Sequence, residues 1–188
     1  TMDEEQAADD TAINTNDTVS PQAVEAPKEP TLTLEQAGFG VNPDTISIGT
    51  AEQMILLSNV NPKEYQNKTI SVTTGFTVTT ETTRKYIENG TTYTLKFLGL
   101  GSESCPFSGS ISNAGGTGDA STMTLPGSLF NYISDKASVS NIILVADKTP
   151  TADSVPLLAQ NVVYNGDASI AGDWNIKIQN KKLNDNTG

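Results

Sequence analysis

Short apolar segments recur along most of this 188-residue chain, separated by clusters of Gly, Asn, Ser and Asp. Many alternate apolar with polar residues, as in Thr69–Thr73, Phe76–Thr79 and Trp174–Ile178. Period-two alternation is typical of a strand with one buried face, whereas a helix needs apolar residues three and four apart over a longer stretch. Because the turn residues keep each segment short, the pattern predicts an all-β chain of many short strands.

One helix interrupts this pattern. Thr50-Ala51-Glu52-Gln53 has the spacing of a capping box, in which the Thr hydroxyl and the Gln side chain bond backbone N–H groups at the helix start. Met54 and Leu57 then fall on one face, and Ser58-Asn59 supplies a stop. We therefore expect a short N-terminal capping helix near residues 50–59.

Two further local patterns predict strands. Asn89-Gly90 is typical of a tight hairpin turn, and alternating segments flank it at 85–87 and 91–97. Thr31–Leu34 also alternates in the strand sense, so ordered structure is expected to begin near Thr31.

The two ends of the chain differ from the middle in composition. Residues 1–30 are acidic, contain three prolines towards their end and lack a hydrophobic period, so we expect a disordered acidic tether. A β-rich domain is expected over 31–183, with 184–188 as a polar tail. That tail offers no cap, so we expect further chain or a partner to cover the last strands.

Charge and residue usage exclude several classes of function. The net charge is −11 and Arg84 is the sole arginine, which argues against a nucleic-acid partner because phosphate binding needs clustered Lys and Arg. No apolar run reaches the ~20 residues of a membrane-spanning helix. Histidine is absent, so His-dependent catalytic triads and His-ligated metal sites are excluded, and Cys105 is alone and is expected to be a small buried residue.

No set of side chains predicts a catalytic, metal or cofactor site, and we expect a protein that is not an enzyme. Glycoside hydrolysis would need two carboxylates at a fixed separation, but the available aspartates stand apart in turn-like sequence: Asp119, Asp135, Asp147, Asp153, Asp167 and Asp173. Residues 115–118 are expected to form a surface loop instead of a phosphate cradle. Trp174 is expected to pack in the core instead of presenting a sugar-stacking platform.

Two fragments suggest an internal repeat: Ala137–Ile142 and Ala168–Asp173 lie 31 residues apart. Such a spacing suits stacked coils that carry a loop.

Four stretches of the chain resemble a known family. They are Ile48–Asn59, Tyr65–Val72, Leu98–Gly101 with Pro106–Ile111, and Ser128–Ile133 with Ala137–Leu144. In this order and spacing they are similar to the bacterial adhesin-like right-handed parallel β-helix surface proteins, including those with the GLUG-type motif. The chain departs from that pattern at Asn113–Asp119, where the family has a different turn.

The resemblance implies a right-handed parallel β-helix with a short N-terminal capping helix. The strand spacing leaves an immunoglobulin-like β-sandwich open as the alternative. For function, the resemblance implies a cell-surface adhesion or structural module of a secreted bacterial protein, located outside the cell and binding a host or bacterial surface glycan or protein. The alternative is a carbohydrate-binding or polysaccharide-degrading protein of the same fold.

Overall fold

The computed structural model describes residues 30–115, 121–149 and 151–163, and the backbone of residues 174–179. The expected tether, except Pro30, and the expected tail at 184–188 lie outside these ranges. The described strands are β1 Thr45–Ile48, β2 Thr69–Val72, β3 Phe76–Thr77, β4 Arg84–Glu88, β5 Thr91–Leu95, β6 Ser110–Asn113, β7 Ser121–Leu125, β8 Phe130–Ser134, β9 Ser138–Ala146, β10 Ala159–Val163 and β11 Trp174–Gln179. The predicted β-rich fold is confirmed.

The short helix predicted near residues 50–59 is present as α1, Ala51–Ser58. The Thr50 hydroxyl accepts the Gln53 N–H over 3.1 Å, and the Gln53 side chain accepts the Gly49 N–H over 2.7 Å. A short 3-10 helix, Pro62–Glu64, follows, and the Asn61 side chain caps it.

The larger sheet is parallel throughout and has the order β1-β2-β6-β9-β7-β3, with β11 also paired to β9. Strand β9 belongs to two parts of this sheet, because its first residues pair with β6 and its later residues pair with β7. Between them Asn141 adopts a positive φ of 54°, a conformation that Asn tolerates better than most residues. The chain turns a corner at that residue.

At most positions the register of this sheet places apolar residues opposite apolar residues and hydroxyl residues opposite hydroxyl residues on β1, β2, β6 and the first part of β9. One inward row runs through Ile46, Ile70, Ile111 and Val139, all fully buried. Because side chains alternate between the two faces of a strand, the residues on either side of each member point outward. The row therefore builds the core while leaving a polar face outside.

A second parallel group stacks beside the first. Strand β10 pairs with β8, and isolated bridges join Leu100 to Phe130 and Phe107 to Ile133. The rings of Phe107 and Phe130 stack with centroids 5.1 Å apart, and Tyr65 contacts Phe107 at 6.3 Å. These aromatic contacts join the second group to the helical N-terminal part.

The predicted hairpin is confirmed as β4 and β5, which pair antiparallel apart from the parallel groups. Asn89 and Gly90 have positive φ values of 51° and 82°, as a tight two-residue hairpin turn requires. An immunoglobulin-like sandwich needs two antiparallel sheets, and the other described pairs are parallel, so that alternative does not fit.

The predicted strand over Thr31–Leu34 is wrong. Leu32 makes one bridge to Val60, and the chain then enters a turn. Thr33 and Gln36 each accept the backbone N–H of the other through their side chains, which closes the turn locally. Leu32 and Leu34 are nevertheless buried, so the alternation reflected burial instead of strand pairing.

The second fragment of the expected repeat ends immediately before β11. Strand β11 pairs with β9 through Trp174 and Val139, which are 35 residues apart, and the register shifts between Asn175 and Ile176. The fragment Ala168–Asp173 lies outside the described residues.

Candidate functional site

A groove of about 400 Å³ opens on the outer surface where the hairpin joins the parallel strands. It is lined by residues 79–80, 96–98 and 126–128, with Asn131, Val155 and Gln160. These residues come from chain segments next to β3, β5, β7, β8 and β10. We call this feature the corner groove.

The corner groove follows the stacking direction. Leu100 bridges to Phe130, and Phe130 pairs with Ala159, so the chain segments beside them form three successive layers. Asn131 follows Phe130 and Gln160 follows Ala159, which places the two amide side chains one layer apart. With about 4.8 Å between paired strands, three layers extend for about 10 Å.

Hydrogen bonds between side chains and the backbone fix one wall of the groove. The Leu98 N–H donates to the Ser58 hydroxyl over 3.0 Å, and the Asn131 amide donates to the Leu98 carbonyl over 2.8 Å. The Asn59 amide also donates to the Lys96 carbonyl over 2.9 Å. The segment from 96 to 98 is thus tied to α1 on one side and to β8 on the other.

The groove exposes apolar surface. Leu98 is 52% exposed and Val155 is 43% exposed, and Phe97 is half-buried against the core. Exposed apolar residues that gather in a concavity with a few polar groups are typical of a binding surface.

Polar groups complete the lining. Lys96 is the one charged residue among the described residues that line the groove, although the whole chain carries a net charge of −11. Within the described part of the chain, the side chains of Lys96, Gln160 and Thr80 form no hydrogen bond, and the Lys96 ammonium has no carboxylate partner. No described residue occupies the hydrogen-bonding groups of these three side chains.

A second outer surface is rich in hydroxyl groups. Eight residues flank the inward row on β1, β2, β6 and β9, and we call them the hydroxyl face: Thr45, Ser47, Thr69, Ser71, Ser110, Ser112, Ser138 and Ser140. None carries a charge, and their pairing is in register across four strands. The Ser110 hydroxyl lies 3.4 Å from that of Thr69.

The structure describes three of the six candidate aspartates and does not bring them to one place. Asp135 follows β8 and is 2% exposed, Asp147 follows β9 and is partly buried, and Asp153 is exposed in the next loop. The Asp135 N–H donates to the Val163 carbonyl at the end of β10, and the Asp147 N–H donates to the Leu125 carbonyl at the end of β7, so the two lie against different strands. Asp119, Asp167 and Asp173 lie outside the described residues.

The other residues considered in the sequence analysis do not come together in one site either. Arg84 begins the hairpin strand β4 and is exposed, and Cys105 is buried with a free thiol, as predicted. Trp174 lies opposite Val139 in the β11–β9 register. Of the glycine-rich run, Gly115 donates its N–H to the Asn113 side chain over 2.7 Å, and residues 116–118 lie outside the described residues.

Within the described residues, acidic and cysteine side chains form no group of three or more that could hold a metal ion. None of the described helices combines the length and the apolar character that crossing a membrane requires.

The corner groove was missed by sequence reasoning. Lys96, Phe97 and Leu98 follow the hairpin, but an exposed leucine has the same sequence signal as a buried one. Asn131 and Gln160 are distant in sequence and meet only through the β8–β10 pairing. The irregular polar sequence around Val155 was the one local hint that an apolar residue stood outside a strand.

No family model matches this sequence, and no curated protein or solved structure is similar to it at a significant level.

Proposed function

We propose that this chain is a right-handed parallel β-helix that serves as a cell-surface adhesion or structural module of a secreted bacterial protein. The motif order described above resembles adhesin-like proteins with the GLUG-type motif, and the proposal takes its function from that resemblance. Binding takes place over an extended outer surface of the stack, with a host or bacterial surface glycan or protein as partner.

The in-register parallel stacking is the observation that carries the proposal. Thr45–Ile48, Thr69–Val72 and Ser110–Ser112 repeat the same inward and outward pattern, and Ser138–Ser140 continues it. A stack of this kind presents the same outer positions in each layer, so its surfaces are long and repetitive. Repetitive, uncharged surfaces such as the hydroxyl face suit contact with extended or repeating partners.

The arrangement of acidic groups favours binding over catalysis. Among the described residues, Asp135, Asp147 and Asp153 occupy separate loops, and hydrolysis of a glycosidic bond needs two carboxylates on either side of it.

Saturable binding of the labelled full chain to bacterial and epithelial cells tests the proposal. We expect binding to at least one cell type, read by flow cytometry, with heat-unfolded protein as the control. The same preparation should release no reducing ends from a panel of acidic and neutral polysaccharides. Turnover that Asp147→Asn abolishes, in a variant with an unchanged circular dichroism spectrum, or the absence of binding to every cell type, would overturn it.

A further inference from the structure

We infer that the corner groove binds a short stretch of a linear polysaccharide whose sugars carry carboxylate groups. This inference rests on the proposed function, because it names the class of partner and the place on the surface where that partner sits.

Charge selects an acidic ligand. The described lining of the groove has no acidic residue, and it contains the Lys96 ammonium, which has no carboxylate partner within the described part of the chain. An anionic group is therefore better accommodated here than on the acidic remainder of the surface.

The uncharged lining suits a sugar ring. A pyranose has apolar C–H faces and a rim of hydroxyl groups, so it needs apolar contact and hydrogen-bonding groups side by side. Leu98, Val155 and the half-buried Phe97 supply the first, and the Gln160 amide and Thr80 hydroxyl supply the second. Three layers of paired strands extend for about 10 Å beside the groove, which leaves room for a short stretch of a polysaccharide.

An extended peptide fits less well. Peptides that bind along strands add to a free sheet edge through backbone hydrogen bonds. Backbone N–H groups of the groove lining are already paired at two positions: the Leu98 N–H donates to the Ser58 hydroxyl, and the Asn131 N–H donates to the Leu100 carbonyl. Side chains remain as the recognition groups, which favours a glycan.

The test titrates the full chain with size-matched oligomers of galacturonic acid and of galactose, using calorimetry at low salt. We expect the acidic oligomer to bind about two- to five-fold more tightly, the size of effect that one exposed ion contact provides. Added salt should reduce that preference, because it screens an exposed charge.

Variants locate the binding. Lys96→Gln should remove most of the preference for the acidic oligomer, and Gln160→Ala should weaken the binding of both oligomers. Lys136→Gln is the matched control, since Lys136 is an exposed lysine outside the groove lining and its loss should change neither affinity. Circular dichroism and urea midpoints establish that each variant is folded.

Three results would overturn the inference. The first is no binding of the acidic oligomer, and the second is an equal loss of affinity for it in Lys136→Gln and Lys96→Gln. The third is displacement of the bound acidic oligomer by a glutamate-rich peptide at the same concentration at which free oligomer displaces it. The cell-binding assay separates this failure from that of the proposed function. If cells bind the chain but the oligomer does not, the groove assignment fails alone. If the oligomer binds in a Lys96-dependent manner but no cell type does, adhesion fails alone.

Discussion

Ile70 lies in the middle of the inward row, between Ile46 on one strand and Ile111 on the other. Its side chain is fully buried, whereas Ser71, the next residue, points outward on the hydroxyl face. One residue therefore packs in the core and the next lies on the outer surface, because successive side chains in a strand face opposite sides of the sheet.

We expect Ile70→Ala to lower the free energy of unfolding by about 2–5 kcal/mol, since it removes buried methyl groups and leaves a cavity. Ser71→Ala should change it by no more than about 0.5 kcal/mol. Urea unfolding of both variants checks this, and equal destabilisation by the two would contradict the register.

The buried phenol of Tyr65 makes a pH-dependent contribution to the free energy of unfolding. Burial raises its pKa from 10.0 to about 12, and the Gly101 N–H, which donates to the phenol oxygen over 2.8 Å, opposes part of that shift. The folded protein thus holds this proton more tightly than the unfolded chain does.

Between about pH 10 and pH 12 the unfolded chain loses the Tyr65 proton first, so the free energy of unfolding should fall as pH rises. Below that window the contribution is fully present. Urea midpoints measured across the window should fall less steeply in Tyr65→Phe, which has no proton to lose. If the urea midpoints of the two proteins fell with pH at the same slope, the Tyr65 phenol would not be the cause of the fall in stability.

The N-terminal helix shows how much one element depends on a local signal. Thr50 caps it as the capping pattern predicted, but the Gln53 side chain bonds the N–H of Gly49, one residue before the cap. Met54, Ile55 and Leu57 are fully buried, so the helix is also held by packing.

Thr50→Ala should reduce the free energy of unfolding by about 1 kcal/mol, because the Gln53 N–H loses its acceptor. Thr50→Ser keeps the hydroxyl and should retain most of the stability. Thermal unfolding compares the two. A serine variant as unstable as the alanine variant would assign the effect to the lost methyl group.

Glycine fixes how closely two elements approach. A Cβ on Gly109, just before β6, would overlap the Lys68 carbonyl and backbone nitrogen at the start of β2. The two strands pair from Ser110 and Thr69 onward, so the missing side chain lets their leading ends come together.

At the scale of the whole molecule, strand order distinguishes a stack from other β-rich arrangements. Ser71 pairs with Ser112, and Ser47 pairs with Ser71, so Ser47 and Ser112 are two strands apart. Adjacent paired strands are about 4.8 Å apart, within the Cα separation that a disulfide spans, whereas two strand spacings exceed it.

The double variant Ser71→Cys with Ser112→Cys should therefore form a disulfide under mild oxidation. Ser47→Cys with Ser112→Cys should not. Peptide mapping by mass spectrometry identifies the linked pair, and it also detects any linkage to the buried Cys105. Efficient linkage of the second pair, or none of the first, would contradict the described order.

Sequence patterns that span only a few residues determined several strands, the hairpin and the helix of this protein. Alternation predicted β2, β3 and β11, the Asn89-Gly90 turn predicted the hairpin, and the cap at Thr50 predicted α1, since each depends on residues within a few positions. Alternation failed at Thr31–Leu34, where side-chain bonds to the backbone closed a turn. Which strands pair, and hence the corner groove, was decided by tertiary structure alone, because Lys96, Asn131 and Gln160 meet only when distant segments stack.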